Sequence, residues 1–233
     1  MTRGVFYAKK DYFIIFCAFG IVGCSRGIDQ QLISNIAEIR EFVLVGETEH
    51  MSVSLMCGKR ERDYKQDGEA SDLIEFGVIT ITIDNIHLLD ISDSRYVLFE
   101  GTEKFDGVLI QNPFDKSLVA DTGKIIDRNE NISIDIYIGN NKSSLKLKEI
   151  DSEWTLSSMD CIDILKSKYK NELKSFLKDE FEGELYIKIM NDSDKYGSDY
   201  YYYVYVIGRN KSSINMIISP KTGEILASSS NIF

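Results

Sequence analysis

A chain of 233 residues with 43% hydrophobic and 27% charged side chains carries enough apolar material for a buried core, and its length suggests one or two domains rather than a disordered segment. A formal net charge of −10, with no basic stripe, argues against nucleic acid as a partner, because a phosphate backbone is held by clustered Lys and Arg. The acidic balance reads first as solubility, with attraction of cations or basic peptides at a surface as the alternative.

At the N-terminus, Arg3, Lys9 and Lys10 precede an apolar run from Tyr12 to Val22. The run is too short to span a bilayer, which takes about 20 apolar residues, and the chain turns polar at Ser25, Arg26 and Asp29. Its length suits the apolar part of a signal peptide. The sequence Ile21-Val22-Gly23-Cys24 that closes it resembles the lipobox of bacterial lipoprotein signal peptides; Asp11 is the one departure from that pattern. The resemblance implies that residues 1–23 are removed and that the Cys24 sulfur carries a diacylglycerol. It also implies a chain held on the extracytoplasmic face of the cell membrane. Two acyl chains, each gaining about 0.8 kcal/mol per buried methylene, suffice for stable anchoring where one does not. Loss of residues 1–23 removes a net charge of +2 and leaves −12. A plain secretory signal cleaved near Gly23, or an apolar first helix of a soluble protein, is the alternative.

Residues 24–40 read as a tether or a brief helix carrying Leu32, Ile33, Ile36 and Ile39. From 41 to 150 the pattern is that of strands: 41–45, 51–57, 73–83, 96–100, 107–110, 117–120, 132–138 and 144–147, of which 78–83 and 132–138 alternate most cleanly. Turn residues punctuate them at Gln66-Asp67-Gly68, Asn112-Pro113, Asp121-Thr122-Gly123 and Gly139-Asn140. Short strands so spaced predict an antiparallel β-sandwich or barrel.

Residues 151–233 change character. Ser157 followed by Asp160 is a capping-box pattern, opening a helix that carries Ile162, Leu165, Tyr169, Leu173, Phe176 and Leu177 on one face. Four strands follow, at 184–190, 200–207, 213–219 and 224–228, the last two joined by a Pro220-Lys221-Thr222-Gly223 turn. The fold class expected is therefore α+β, mainly antiparallel β, with a helix packed on a four-stranded sheet at the C-terminal end. This order, closing on Ser219-Pro220-Lys221-Thr222-Gly223-Glu224-Ile225-Leu226, resembles the PepSY domain. The resemblance implies peptide binding or modulation of a peptidase, with no catalytic residues to carry over.

Several patterns bear on chemistry. Asp121-Thr122-Gly123 has the look of an aspartic-protease signature, but it occurs once and Lys124 follows, so a turn is the competing reading. Asp192, Asp194, Gly197 and Asp199 hint at a calcium loop, yet Tyr203 stands where a bidentate Glu belongs. His50 and His87 have no neighbours at metal spacing, and no hydrolase or nucleotide-binding motif is present. Cys57 and Cys161 read as separate buried thiols. In Tyr200-Tyr201-Tyr202-Tyr203-Val204-Tyr205 alternate side chains face opposite ways, so Tyr201, Tyr203 and Tyr205 form a candidate partner-binding stripe. Strand propensity and core packing are the plainer account. The reading reached is a lipid-anchored envelope protein, without catalysis, metal or cofactor, that binds a peptide or an envelope protein. Its rivals are a hydrolase built on carboxylates such as Asp84, Asp90 and Asp93, and a structural or sensory component.

Overall fold

The computed structural model describes residues 28–62, 65–128, 130–150, 154–177, 181–191 and 200–233. Cys24 and the acidic group at 192–199 lie outside them. A short helix α1 (Ile28–Ser34) leads into strand β1 (Ile36–Glu47), which pairs with β2 (Met51–Glu61), and β2 pairs with β3 (Leu73–Ile83). Next come β4 (Arg95–Glu100), β5 (Glu103–Val108), β6 (Ile110–Gln111) and β7 (Leu118–Asp121), then β8 (Ile132–Ile138), β9 (Asn141–Lys146) and β10 (Lys148–Glu149). Helix α2 (Asp160–Lys168) and a 3-10 turn (Glu172–Phe176) precede β11 (Gly183–Met190), β12 (Tyr201–Gly208), β13 (Ser213–Ile218) and β14 (Ile225–Asn231).

The strands make two sheets. One has ten strands in the order β14-β13-β12-β11-β1-β2-β3-β7-β6, with β10 beside β1; the other has four, in the order β5-β4-β8-β9. Among the described residues every strand pairing is antiparallel except β1 with β11. The fold is thus α+β and mainly antiparallel, with a sandwich of two open sheets; among the described residues no barrel closes. β8 shows why a sandwich forms: Ile132, Ile134, Ile136 and Ile138 are buried while Ser133, Asp135 and Tyr137 are not. That single apolar face must meet another, and it packs with Leu98 of β4 onto Leu44, Leu55, Ile79 and Ile81 of the large sheet.

A second core lies under α2. Ile162 and Leu165 of the helix and Leu173 and Phe176 of the 3-10 turn cover Leu185, Ile187, Val204, Val206, Ile214 and Met216. Leu32 of α1 and Ile36, Ile39 and Val43 of β1 complete it. β1 therefore serves both cores, since Phe42 and Leu44 belong to the sandwich core on either side of Val43. The strand begins at Ile36, inside the stretch expected to be a tether. There Ile36 has its partner from β11, through Ile36–Leu185, while Glu38 and Ile39 lie between two strands, paired with Tyr186 and Ile187 of β11 and with Arg60 and Lys59 of β2.

The capping box forms as expected: the Ser157 N–H and hydroxyl donate to Asp160 Oδ2, both at 2.7 Å. These two bonds hold the Asp160 carboxyl below the usual carboxylate range. The expected long helix, however, stops at Lys168. Tyr169 leaves helical geometry at φ −118° and ψ 34°, and the chain resumes as a 3-10 turn. The turn sets the Phe176 ring over the cross-strand pair Gly183 and Gly208, where a Cβ on Gly208 would stand 2.9 Å from the ring. The closing hairpin is also present, its turn bonded by the Gly223 N–H to the Ser219 carbonyl at 2.9 Å.

A bulge in β1 between Arg40 and Phe42 is fitted by Gly58 of β2. A Cβ on Gly58 would lie 2.2 Å from the Ile39 carbonyl oxygen and 2.9 Å from Arg40 Cα, both backbone atoms. Gly58→Ala is therefore expected to destabilise the fold by about 2 kcal/mol, read as a lower denaturant midpoint at unchanged slope.

Candidate binding site

The tyrosine run alternates across β12. Tyr202 faces the helix core, where its ring meets Trp154 edge-on at 5.4 Å and its hydroxyl donates to the Leu156 carbonyl at 3.0 Å. Tyr203 and Tyr205 stand on the opposite face, half-buried, with rings stacked at 6.2 Å and 13°. The Tyr205 ring also lies 5.9 Å from that of Tyr186 on the neighbouring strand. Tyr203 donates to Asn215 Oδ1 at 2.7 Å, and burial pushes its phenol above the ordinary value against the pull of Lys188. Tyr201 differs from its two companions, being only 8% exposed.

Cross-strand register extends this face in both directions. Tyr203 pairs with Lys188 and Ile217, Tyr205 with Tyr186 and Asn215, and Tyr186 with Glu38. On the β1 side the face is fixed by charge. Lys188 Nζ sits 3.0 Å from Glu38 Oε2, and Arg40 Nε sits 2.7 Å from Glu38 Oε1. Arg40 also donates to the Ile189 carbonyl at 3.0 Å. Glu38 is 4% exposed, so two cations share one desolvated carboxylate and position the lysine, whose ammonium lies 5.3 Å from the Tyr186 ring. On the β14 side the face opens into a depression of about 320 Å³ bounded by Tyr203, Asn215, Ile217, Ala227 and Ser229.

The far end of the face is covered by residues 65–71. Glu184 is fully buried, and its Oε1 accepts the N–H groups of Asp67, Gly68 and Glu69 at 3.2, 3.1 and 3.1 Å. Its other oxygen accepts the Tyr186 hydroxyl at 2.6 Å. Burial raises the Glu184 carboxyl above its ordinary value, opposed by these hydrogen bonds. The same loop is tied at its other end by the Ser71 N–H to the buried Glu61 carboxylate, and from outside by Arg209 to Glu69 at 2.8 Å.

A separate apolar groove of about 780 Å³ lies between α1, β1 and the start of α2, floored by Ile36, Ile39, Phe42 and Ile126 and flanked by Ile33 and Met159. Lys59, Glu41 and Arg128 stand at its rim.

The other sequence candidates sit apart from these surfaces. Asp121 accepts the Gly123 N–H at 2.7 Å and pairs with Arg60 at 2.6 Å, and Gly123 has φ +69°, so Asp121-Thr122-Gly123 is a tight turn closing β7. Asp84 lies 3.6 Å from His50, and Asp90 accepts the N–H and hydroxyl of Ser92 within its own turn. Among the described residues no three His, Cys, Asp or Glu side chains are arranged to hold a metal. Cys57 and Cys161 are free thiols, one in each core, pushed up by burial to about 11 and about 12. The period-two spacing of Glu184, Tyr186 and Lys188 against Leu185, Ile187 and Ile189 marks a polar face on β11 that the sequence reading did not join to the tyrosines.

Fold and surface together define a mainly antiparallel β protein whose C-terminal strands, part of the ten-stranded sheet, carry a helix on one face and aromatic, polar side chains on the other. No family model, no curated protein and no solved structure matches the chain. Among the described residues no helix is long and apolar enough to cross a membrane.

Proposed function

We propose that the chain is an extracytoplasmic lipoprotein, anchored through Cys24, that binds a peptide or protein segment on its tyrosine face without catalysing a reaction. The observation that carries the binding reading is the stacked Tyr203–Tyr205 pair on the sheet face opposite the helix. Tyrosines held by stacking and by a hydrogen bond offer large amphipathic contact area and lose little side-chain entropy on binding. The PepSY-like order of 151–233 supports the same reading and adds modulation of a peptidase as the expected role. The lipobox at 21–24 supports the anchor.

Two measurements test it. Capture from the native envelope is expected to fall at least tenfold when Tyr203 and Tyr205 are both changed to Ser; undiminished capture would remove the stripe from the account. Cys24→Ala is expected to move the protein out of the membrane fraction, and continued membrane retention would remove the lipid anchor.

A further inference from the structure

The two sheets end in edge strands that differ in kind. In the four-stranded sheet, β5 carries Glu103, Lys104 and Asp106, and β9 carries Lys142 and Lys146. Beside β1, β10 is Lys148-Glu149, and at one end of the large sheet β6 is only two residues long. Charge and shortness are the usual ways in which a sheet refuses further strands. β14, at the opposite end, has neither. It is seven residues long, Ile-Leu-Ala-Ser-Ser-Ser-Asn, and from Ile225 to Phe233 the chain has no charged residue and no proline. Among the described residues it pairs with β13 alone, and Ala227 to Asn231 are exposed. A row of backbone donors and acceptors about 23 Å long is thus presented outward.

Side chains beside that edge are matched to it. Ala227 pairs with Ile217 and Ser229 with Asn215, so beside Tyr203 and Tyr205 β14 contributes two small groups. Their smallness leaves the depression of about 320 Å³ reaching inward to Tyr203. We propose that β14 is a docking edge for an extended peptide, which adds a further strand to the ten-stranded sheet and lays one large apolar or aromatic side chain over Ala227 and Ser229 against Ile217 and Tyr203. Backbone hydrogen bonds supply affinity and the depression supplies selection among side chains, as in strand addition generally. A second copy of the chain is a poorer occupant. Each full chain carries a net charge of −10, and −12 once residues 1–23 are removed, and a contact one strand wide is small beside the roughly 1,200–2,000 Å² of a stable dimer interface. The inference rests on the peptide-binding reading above and names its mode and its partner.

The test is selection of random linear dodecamers on phage against the full chain, followed by fluorescence anisotropy with the recovered peptides. Ser229→Lys, at an exposed position, is expected to weaken them about tenfold or more, and so is N-methylation of alternate peptide amides, which leaves the protein untouched. Peptides that bind but ignore both changes, while Tyr203→Ser weakens them, would overturn edge pairing and leave the tyrosine face as the site. Recovery of no binding peptide would overturn the peptide reading and this inference together. A dimer in sedimentation that Ser229→Lys dissociates would make a second copy the occupant and overturn the peptide.

Discussion

Residues 151–233 expressed alone are expected to stay unfolded, although they contain a helix and four consecutive strands of the ten-stranded sheet. The core beneath α2 is closed by four buried side chains from elsewhere, Leu32, Ile36, Ile39 and Val43. Burial of each contributes about 1.5–3 kcal/mol, and their combined loss is of the same order as the roughly 5–15 kcal/mol of a whole domain. β11 would also lose its pairing with β1, including the Leu185 N–H bond to the Asn35 carbonyl at 2.8 Å, and would offer a free apolar edge. Because β1 belongs to both cores, residues 28–233 are expected to melt in one transition. Leu44→Ala in the sandwich and Leu185→Ala under the helix should lower that same transition, each by about 2–5 kcal/mol. Dispersed amide signals from 151–233 alone, or two separate melts in the longer chain, would show the opposite: a C-terminal unit that stands by itself.

That shared strand also marks where the sequence ceases to be legible. β3 and β8 occupy 73–83 and 132–138, the runs that alternation predicts, because each has one apolar face and neighbours close by in sequence. The start of β1 has no such local cue. Ile36, ahead of the pairing with β2 that starts at Glu38, finds its strand partner only in β11, and that parallel contact spans most of the chain. The end of α2 is similarly hidden, for the apolar spacing continues through Leu173 and Phe176 while the backbone tightens to fit Phe176 over two glycines. At the candidate site, alternation separates Tyr202 from Tyr203 and Tyr205. It also puts Tyr201 on the face of Tyr203, but does not reveal that Tyr201 is only 8% exposed there. The strap at 65–71 was legible only as a turn at Gln66-Asp67-Gly68. Its anchor, Glu184, lies in another part of the sequence and meets it only in the folded chain.

Glu184→Ala is expected to destabilise the protein by about 3 kcal/mol and to free the 65–71 strap, because three consecutive amides lose one acceptor and that of Gly68 is buried. For a chain of this size that corresponds to a melting point lower by about 6–12 °C, with faster proteolytic cutting at the strap. Glu184→Gln keeps an acceptor oxygen in place and should cost much less, so the pair separates the hydrogen bonds from the charge. The charge has its own signature. Burial raises the carboxyl above its ordinary value, the Tyr186 hydroxyl and the Asp67 and Glu69 amides oppose that rise, and the Asp67 side chain adds to it. A carboxyl raised in the folded state contributes stability that is complete below its unfolded value, and that contribution is lost as pH climbs through the folded value. Wild type is therefore expected to weaken as pH rises out of the ordinary carboxylate range, whereas Glu184→Gln, with no proton to release there, should stay flat over the same window. Parallel denaturant midpoints for the two proteins across that range would mean that the buried carboxylate is fully compensated by its amides. The strap would then be held equally well whether or not Glu184 is charged.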